Sequence, residues 1–197
     1  MVNLTRKESE ILLKLFKDFT REYNANSLSK EINITPRGAL KILKNLEEKK
    51  LAIGKEIGKA IFYKVNLNDL YTRKTIETLL VGEARENAQR WLDEFKDVFS
   101  STEIVLIFGS IIKNSKHASD IDILFIMEKQ NYKKVNGFIK EKNKIMHKKI
   151  HSIPQTIQDL KENLKNRNPA IVDSIRTGYV LHGFDKIVEV IKNVAGT

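Results

Sequence analysis

Cysteine is absent from the 197 residues, which excludes a disulfide framework and any thiolate metal site and makes a reducing compartment the default. The four histidines have no cysteine to complete a ligand set, and no zinc site is expected. Nowhere do 18 apolar residues follow one another, and the opening Met1-Val2-Asn3-Leu4-Thr5-Arg6-Lys7 carries no apolar run. A soluble, cytoplasmic protein with no membrane partner is the expectation. No aromatic platform for stacking bases is evident, which weighs against RNA modification. Acidic residues are also in short supply, 25 against 35 basic ones, for a net charge of +10.

What is present is enough apolar material, 41%, to build one large core or two small ones. The charge falls unevenly. Residues 1–66 hold 14 basic and 8 acidic side chains, residues 67–100 hold 5 and 7, and residues 101–197 hold 16 and 10. Both ends are therefore suited to polyanions, DNA at one and nucleotide or RNA at the other.

Along the first segment, Thr5-x-x-Glu8 is a capping-box pattern, and Ile11, Leu12, Leu15, Phe16 and Phe19 recur at helical spacing, which predicts a helix over 5–19. A short helix is expected at Leu28–Ile32. Thr35-Pro36 then opens a third, with Leu40, Leu43 and Leu46 on its apolar side and Arg37, Lys41 and Lys44 on the other. Leu51–Glu56 and Ala60–Val65 around Ile57-Gly58-Lys59 read as a β-hairpin with a basic tip. Three helices and a hairpin in this order resemble a winged helix-turn-helix. The resemblance implies DNA as a partner, with Thr35, Arg37, Lys41 and Lys44 at the major groove and Lys59 on backbone phosphate.

Asn68–Leu80 and Glu83–Phe99 read as two helices broken near Val81-Gly82. Ala84, Ala88, Trp91, Leu92, Phe95 and Val98 form one stripe. This acidic segment sets itself apart as a connector and a possible homodimer contact. Beyond it, helices are expected at Tyr132–Lys144, Ile157–Leu164, from Asn168-Pro169 to Gly178, and at Phe184–Val194. Strands are expected at Met146–Ile153, ended by Pro154, and at Tyr179–Leu181.

The chain is organised around Ile104-Val105-Leu106-Ile107-Phe108-Gly109-Ser110 and Ser119-Asp120-Ile121-Asp122-Ile123-Leu124-Phe125. An apolar run ending in Gly-Ser reads as a buried strand delivering the chain into a tight corner, where free backbone N–H groups can hold phosphate. Asp120 and Asp122, at strand periodicity, share a face that Ile121, Ile123 and Phe125 avoid. Two ionised carboxylates roughly 6.6 Å apart repel by about 2.5 kcal/mol at an effective dielectric near 20, a cost that a divalent cation between them reverses.

This pattern resembles the polymerase-β-like nucleotidyltransferase superfamily, and particularly its minimal members. The resemblance implies phosphate binding at Gly109 and Ser110, assisted by Lys113 and Ser119, and a catalytic metal pair at Asp120 and Asp122. The implied cofactors are Mg²⁺ or Mn²⁺ and a nucleoside triphosphate, ATP by preference. Minimal members often follow the Gly-Ser with a basic residue and a glycine; here Lys113 stands for the first, but Asn114 replaces the second. Lys116 and His117 lie in the intervening loop. A third carboxylate is usual on a later strand, and His147-Lys148-Lys149-Ile150-His151-Ser152-Ile153 contains none; Glu141 falls in the preceding helix. His151 reads as a surface or structural histidine, with general base as the alternative.

An α+β protein is thus expected: a winged helix-turn-helix over 1–66, a helical connector over 67–100, and over 101–197 a nucleotidyltransferase-like domain with a small mixed sheet flanked by helices. Its expected function is transfer of a nucleotidyl group to a protein or small-molecule hydroxyl. The alternative is a DNA-binding regulator whose second domain only senses nucleotide or dimerises.

Overall fold

A computed structural model describes residues 3–114 and 117–195. The fold is α+β and divides into two compact units, Met1–Leu79 and Leu80–Thr197.

The first unit opens with α1 (Arg6–Lys17), fixed by a reciprocal cap. The Glu8 N–H donates to Thr5 Oγ1 at 3.2 Å, and the Thr5 N–H donates to Glu8 Oε2 at 2.8 Å. Two donors that a helix start leaves orphaned are thereby satisfied. Ile11, Leu12, Leu15 and Phe16 are buried, whereas Phe19 lies beyond the helix and is only half-buried. The next helix, α2 (Ala25–Glu31), starts three residues before the expected Leu28 because Asn24 and Ser27 cap it reciprocally.

Thr35 caps α3 (Pro36–Glu48), accepting from the Gly38 N–H at 3.1 Å. Ala39, Leu43 and Leu46 form its buried side. The expectation for Leu40 is corrected: it is 36% exposed. A 3.6-residue period places positions 39, 43 and 46 on one stripe and turns 40 towards 37, 41 and 44. The hairpin of β1 (Ala52–Ile57) and β2 (Ala60–Val65) pairs Ile57 with Ala60. Gly58, at the first of the two turn positions, takes φ +63°, which glycine adopts without strain.

A second correction concerns α4 (Leu70–Asn87), which runs unbroken through Val81-Gly82. Mid-helix glycine costs only about 1 kcal/mol against alanine, and the burial of Ile76, Leu80 and Ala84 outweighs it. The chain breaks instead at Ala88, with φ −136° and ψ 20°.

The second unit continues with α5 (Gln89–Phe95), a 3-10 turn at Lys96–Ser101, β3 (Ile104–Phe108), α6 (Ser110–Lys113), β4 (Asp120–Ile126), α7 (Tyr132–Ile145) and β5 (Lys149–Gln155). After these come α8 (Ile157–Lys165), α9 (Pro169–Thr177), β6 (Tyr179–His182) and α10 (Phe184–Ala195). The strands form one mixed sheet in the order β5-β4-β3-β6, in which only β4 and β5 are parallel. Pro154 does not end β5 as expected but pairs with Phe125 inside it. A proline is tolerated there because β5 is an edge strand and can turn the missing N–H outward.

One face of the sheet, made by Val105, Ile107, Ile121, Ile123 and Phe125, is covered by Trp91, Phe95, Val135 and Ile139. Trp91 stacks on Phe95 at 6.3 Å, and Phe95 meets Phe125 edge-on at 6.2 Å. Each such side chain contributes roughly 1.5–3 kcal/mol by leaving water, so Trp91 and Phe95 are core rather than ligand contacts. His182 stacks on Phe99 with centroids 4.8 Å apart and planes 7° from parallel.

Candidate functional site

Three adjacent strands bring the site together, because the sheet order puts β4 between β3 and β5. Antiparallel pairing sets Phe108, the last residue of β3, opposite Asp122, and parallel pairing sets His151 of β5 beside the same aspartate. Asp120 pairs with Lys149 one step earlier. Side chains at paired positions share a face, so Asp120, Asp122, Lys149 and His151 all emerge on the side away from the Trp91–Phe95 core.

Gly109 forms the corner between β3 and α6 with φ +82° and ψ −155°, a conformation reserved almost wholly for glycine. A second reason for glycine is contact: a Cβ here would collide with Oδ2 of Asp122. The glycine corner and the carboxylate are therefore packed directly against each other. Ser110, exposed, begins the single turn of α6, and Lys113, also exposed, ends it. Asn114 takes φ −150°, a backbone conformation that does not require glycine. Its carbonyl instead accepts from the N–H groups of His117 and Ala118, at 3.2 and 3.1 Å. Ser119 and His117 are exposed; Lys116 lies outside the described residues.

Asp120 is partly buried and the side chain of Asp122 is 22% exposed. Among the described residues neither is paired with a lysine or arginine, and the side chain that meets Asp122 is His151, whose Nδ1 stands 3.0 Å from Asp122 Oδ1. A carboxylate only accepts, so in this contact Nδ1 is the donor. The ring is 67% exposed. The strand expected to carry a third acid thus brings His151 to Asp122 instead.

Around this centre the β5 approach is basic. Lys148 donates from Nζ to the Ala118 carbonyl, and Lys149 donates to the Asn143 carbonyl at 2.6 Å. Neither lysine figured among the expected site residues. Their sequence signal was a basic run of the kind found on many solvated surfaces.

Among the described residues no group of three or more histidines and acids gathers as a cage for a metal ion. Asp120 and Asp122 nevertheless fit a hard divalent cation of the magnesium type, which takes one or two carboxylates and completes its shell with water and ligand phosphates. The absence of a competing lysine leaves both carboxylates available for it.

The residues expected to face DNA lie in the first unit, where Thr35, Arg37, Gly38, Leu40, Lys41 and Lys44 line a shallow groove on the exposed side of α3. Lys59 is exposed at the hairpin tip. No helix among the described residues is long and apolar enough to cross a membrane.

Comparison with curated proteins and with solved structures gives no match. The family model of the nucleotidyltransferase domain, however, matches residues 88–182, from the residue that separates α4 and α5 to the last residue of β6. That match makes the second unit similar to a nucleotidyltransferase domain and supports nucleotidyl transfer, in general terms, as its chemistry.

Proposed function

We propose that the second unit binds a nucleoside triphosphate, ATP by preference, with Mg²⁺ or Mn²⁺, and transfers its nucleotidyl group to a hydroxyl of a protein or small molecule. The observation that carries this reading is the direct packing of the Gly109 corner on the Asp122 carboxylate. A phosphate bound by the backbone of Gly109 and Ser110 lies within reach of a cation held by Asp120 and Asp122. Lys113 and Ser119 add a charge and a hydroxyl at the rim. A bound divalent cation supplies charge neutralisation at the phosphates.

The transfer balances simply. The acceptor oxygen bonds to the α-phosphorus, and the bond from that phosphorus to the bridging oxygen breaks. Pyrophosphate leaves with the electron pair, and the hydroxyl proton passes to water. The chain's own residues orient the triphosphate at the corner and hold the reacting groups in line, which in phosphoryl-type transfer supplies much of the rate.

The test is incubation with α-labelled ATP, comparing the wild-type chain with Asp120→Asn plus Asp122→Asn. Label transfer that is lost in the double variant supports the assignment. Transfer that survives it removes the aspartates from the site.

A second reading is favoured by the lack of an acid on the strand that carries His151: the second unit senses nucleotide without turning it over, and the first is a DNA-binding winged helix over 1–66 joined through 67–100. The groove on α3 supports the DNA half of this reading, since its lysines and arginine surround Thr35 and Leu40 on a helix face free of the core. Triphosphate binding without label transfer, together with DNA binding whose salt slope falls in Arg37→Ala plus Lys41→Ala, separates it from the first.

A further inference from the structure

The outer stripe of α3 carries one apolar side chain among cations. Leu40 is 36% exposed, whereas Ala39, Leu43 and Leu46 fill the core side of the same helix. Residues three and four apart on a helix are neighbours, so Leu40 stands between Arg37, one turn before it, and Lys44, one turn after it, with Lys41 alongside. Together with Thr35 and Gly38 these side chains line one shallow groove.

The three cations are uncancelled. Among the described residues none of Arg37, Lys41 and Lys44 forms an ion pair with an acid, in contrast to Lys14 and Lys49 of the same unit. Such a face suits a polyanion. A contact made only with phosphates has no use for an exposed leucine. An apolar protein surface seated on Leu40 would in turn bury the surrounding charges without a counter-charge, which is costly. Duplex DNA meets both requirements at once: phosphates line the rim of its major groove, and the 5-methyl group of a pyrimidine is the apolar feature on its floor. From position 37 to position 44 a helix rises roughly 10.5 Å, about three base-pair steps of about 3.4 Å, with Leu40 near the middle.

We propose that Leu40 reads a pyrimidine 5-methyl group in the major groove of DNA, that of thymine or of 5-methylcytosine, while Arg37, Lys41 and Lys44 hold the phosphates on either side. This rests on the DNA-binding half of the second reading and adds to it the chemical group that is recognised. It holds whether or not the second unit transfers nucleotides.

The experiment starts with the full chain selecting bound sequences from short DNA duplexes with a randomised centre. The selected duplex is then titrated with its thymines replaced one at a time by deoxyuridine, which lacks only the methyl group. One such replacement is expected to weaken binding about fourfold, corresponding to about 0.8 kcal/mol for one methyl-sized group taken out of water. A cytosine and a 5-methylcytosine placed at that position distinguish the sources. Tighter binding of the methylated base means that the methyl of either pyrimidine is read, and equal binding restricts the site to thymine. Leu40→Ala removes an exposed side chain that has no part in the core. It is expected to erase the preference for thymine over deoxyuridine while the salt slope, which counts phosphate contacts, stays as in the wild type.

Selection without enrichment, deoxyuridine that is tolerated at every position, or a Leu40→Ala chain that keeps the preference would overturn the inference. Salt-dependent binding in the same titrations then leaves the DNA-binding reading standing. Self-association of the wild-type chain that Leu40→Ala abolishes would also overturn it, by placing a second copy on this face. If no duplex is bound even at low salt, the DNA-binding reading falls and the inference with it.

Discussion

His151 and Asp122 meet across the one parallel strand pair of the sheet, Nδ1 to Oδ1 at 3.0 Å. A side chain that reads in isolation as a surface histidine is thereby oriented by the central carboxylate of the site. Its partner keeps a second oxygen, Oδ2, against the glycine corner. One aspartate therefore links the glycine corner and the β5 flank.

Replacing His151 by aspartate puts a third carboxylate beside Asp122 without disturbing the core, since the ring is 67% exposed. His151→Asp is expected to lower the Mg²⁺ concentration needed for half-saturation of triphosphate binding by roughly tenfold, about 1.4 kcal/mol. Calorimetric Mg²⁺ titration checks this. An unchanged or weaker requirement would show that position 151 is too far from the cation to matter.

Gly109→Ala forces a side chain into a backbone conformation suited to glycine and into the Asp122 carboxylate. The expected cost is about 1–3 kcal/mol of stability from the backbone alone. Triphosphate binding should be lost even where the variant remains folded. Denaturant melts and nucleotide titrations on the same preparation measure the two effects separately.

The opposite outcome is expected at Gly82, which sits inside α4 with nothing within 4 Å of a would-be Cβ. Gly82→Ala should stabilise the chain by about 0.5–1 kcal/mol through helix propensity. A denaturation midpoint that fails to rise would mean that this position has a neighbour the helix must accommodate.

His182 supplies a pH dependence unconnected with the site. Burial against Phe99, with a smaller contribution from Lys186, holds its pKa below the ordinary 6.5, and the opposing pulls of the Thr102 backbone and Asp185 do not restore it. The unfolded chain therefore takes up the proton first as pH falls. Stability present above pH 6.5 is lost on acidification through that value towards the lower folded pKa. His182→Phe keeps the stack and removes the titration. Melts of wild type and variant should differ increasingly as pH falls from 7 to 5, with the wild type losing more.

Much of the fold could be read locally. Thr5-x-x-Glu8, Thr35-Pro36 and Asn168-Pro169 all begin helices where expected, because a cap involves groups no more than a few residues apart. The alternation that separates Asp120 and Asp122 from Ile121, Ile123 and Phe125 likewise follows from the pleat. Gly82 and Pro154 were misread for the converse reason: a weak local preference for breaking was outweighed by burial of α4 and by the edge position of β5. Leu40 was legible in the sequence too, since the 3.6-residue period that groups Ala39, Leu43 and Leu46 puts it with Arg37, Lys41 and Lys44 on the outer face of α3.

The amino-acid sequence by itself determined the caps, the strand periodicities, the glycine corner and the pair of aspartates, all of them set by short-range geometry. Tertiary structure alone decided that the corner touches Asp122 rather than Asp120 and that His151 faces that same carboxylate. Those relations depend on which strands become neighbours and in what register. Register is settled by the burial of a whole sheet face, to which residues from Trp91 to Ile139 contribute together.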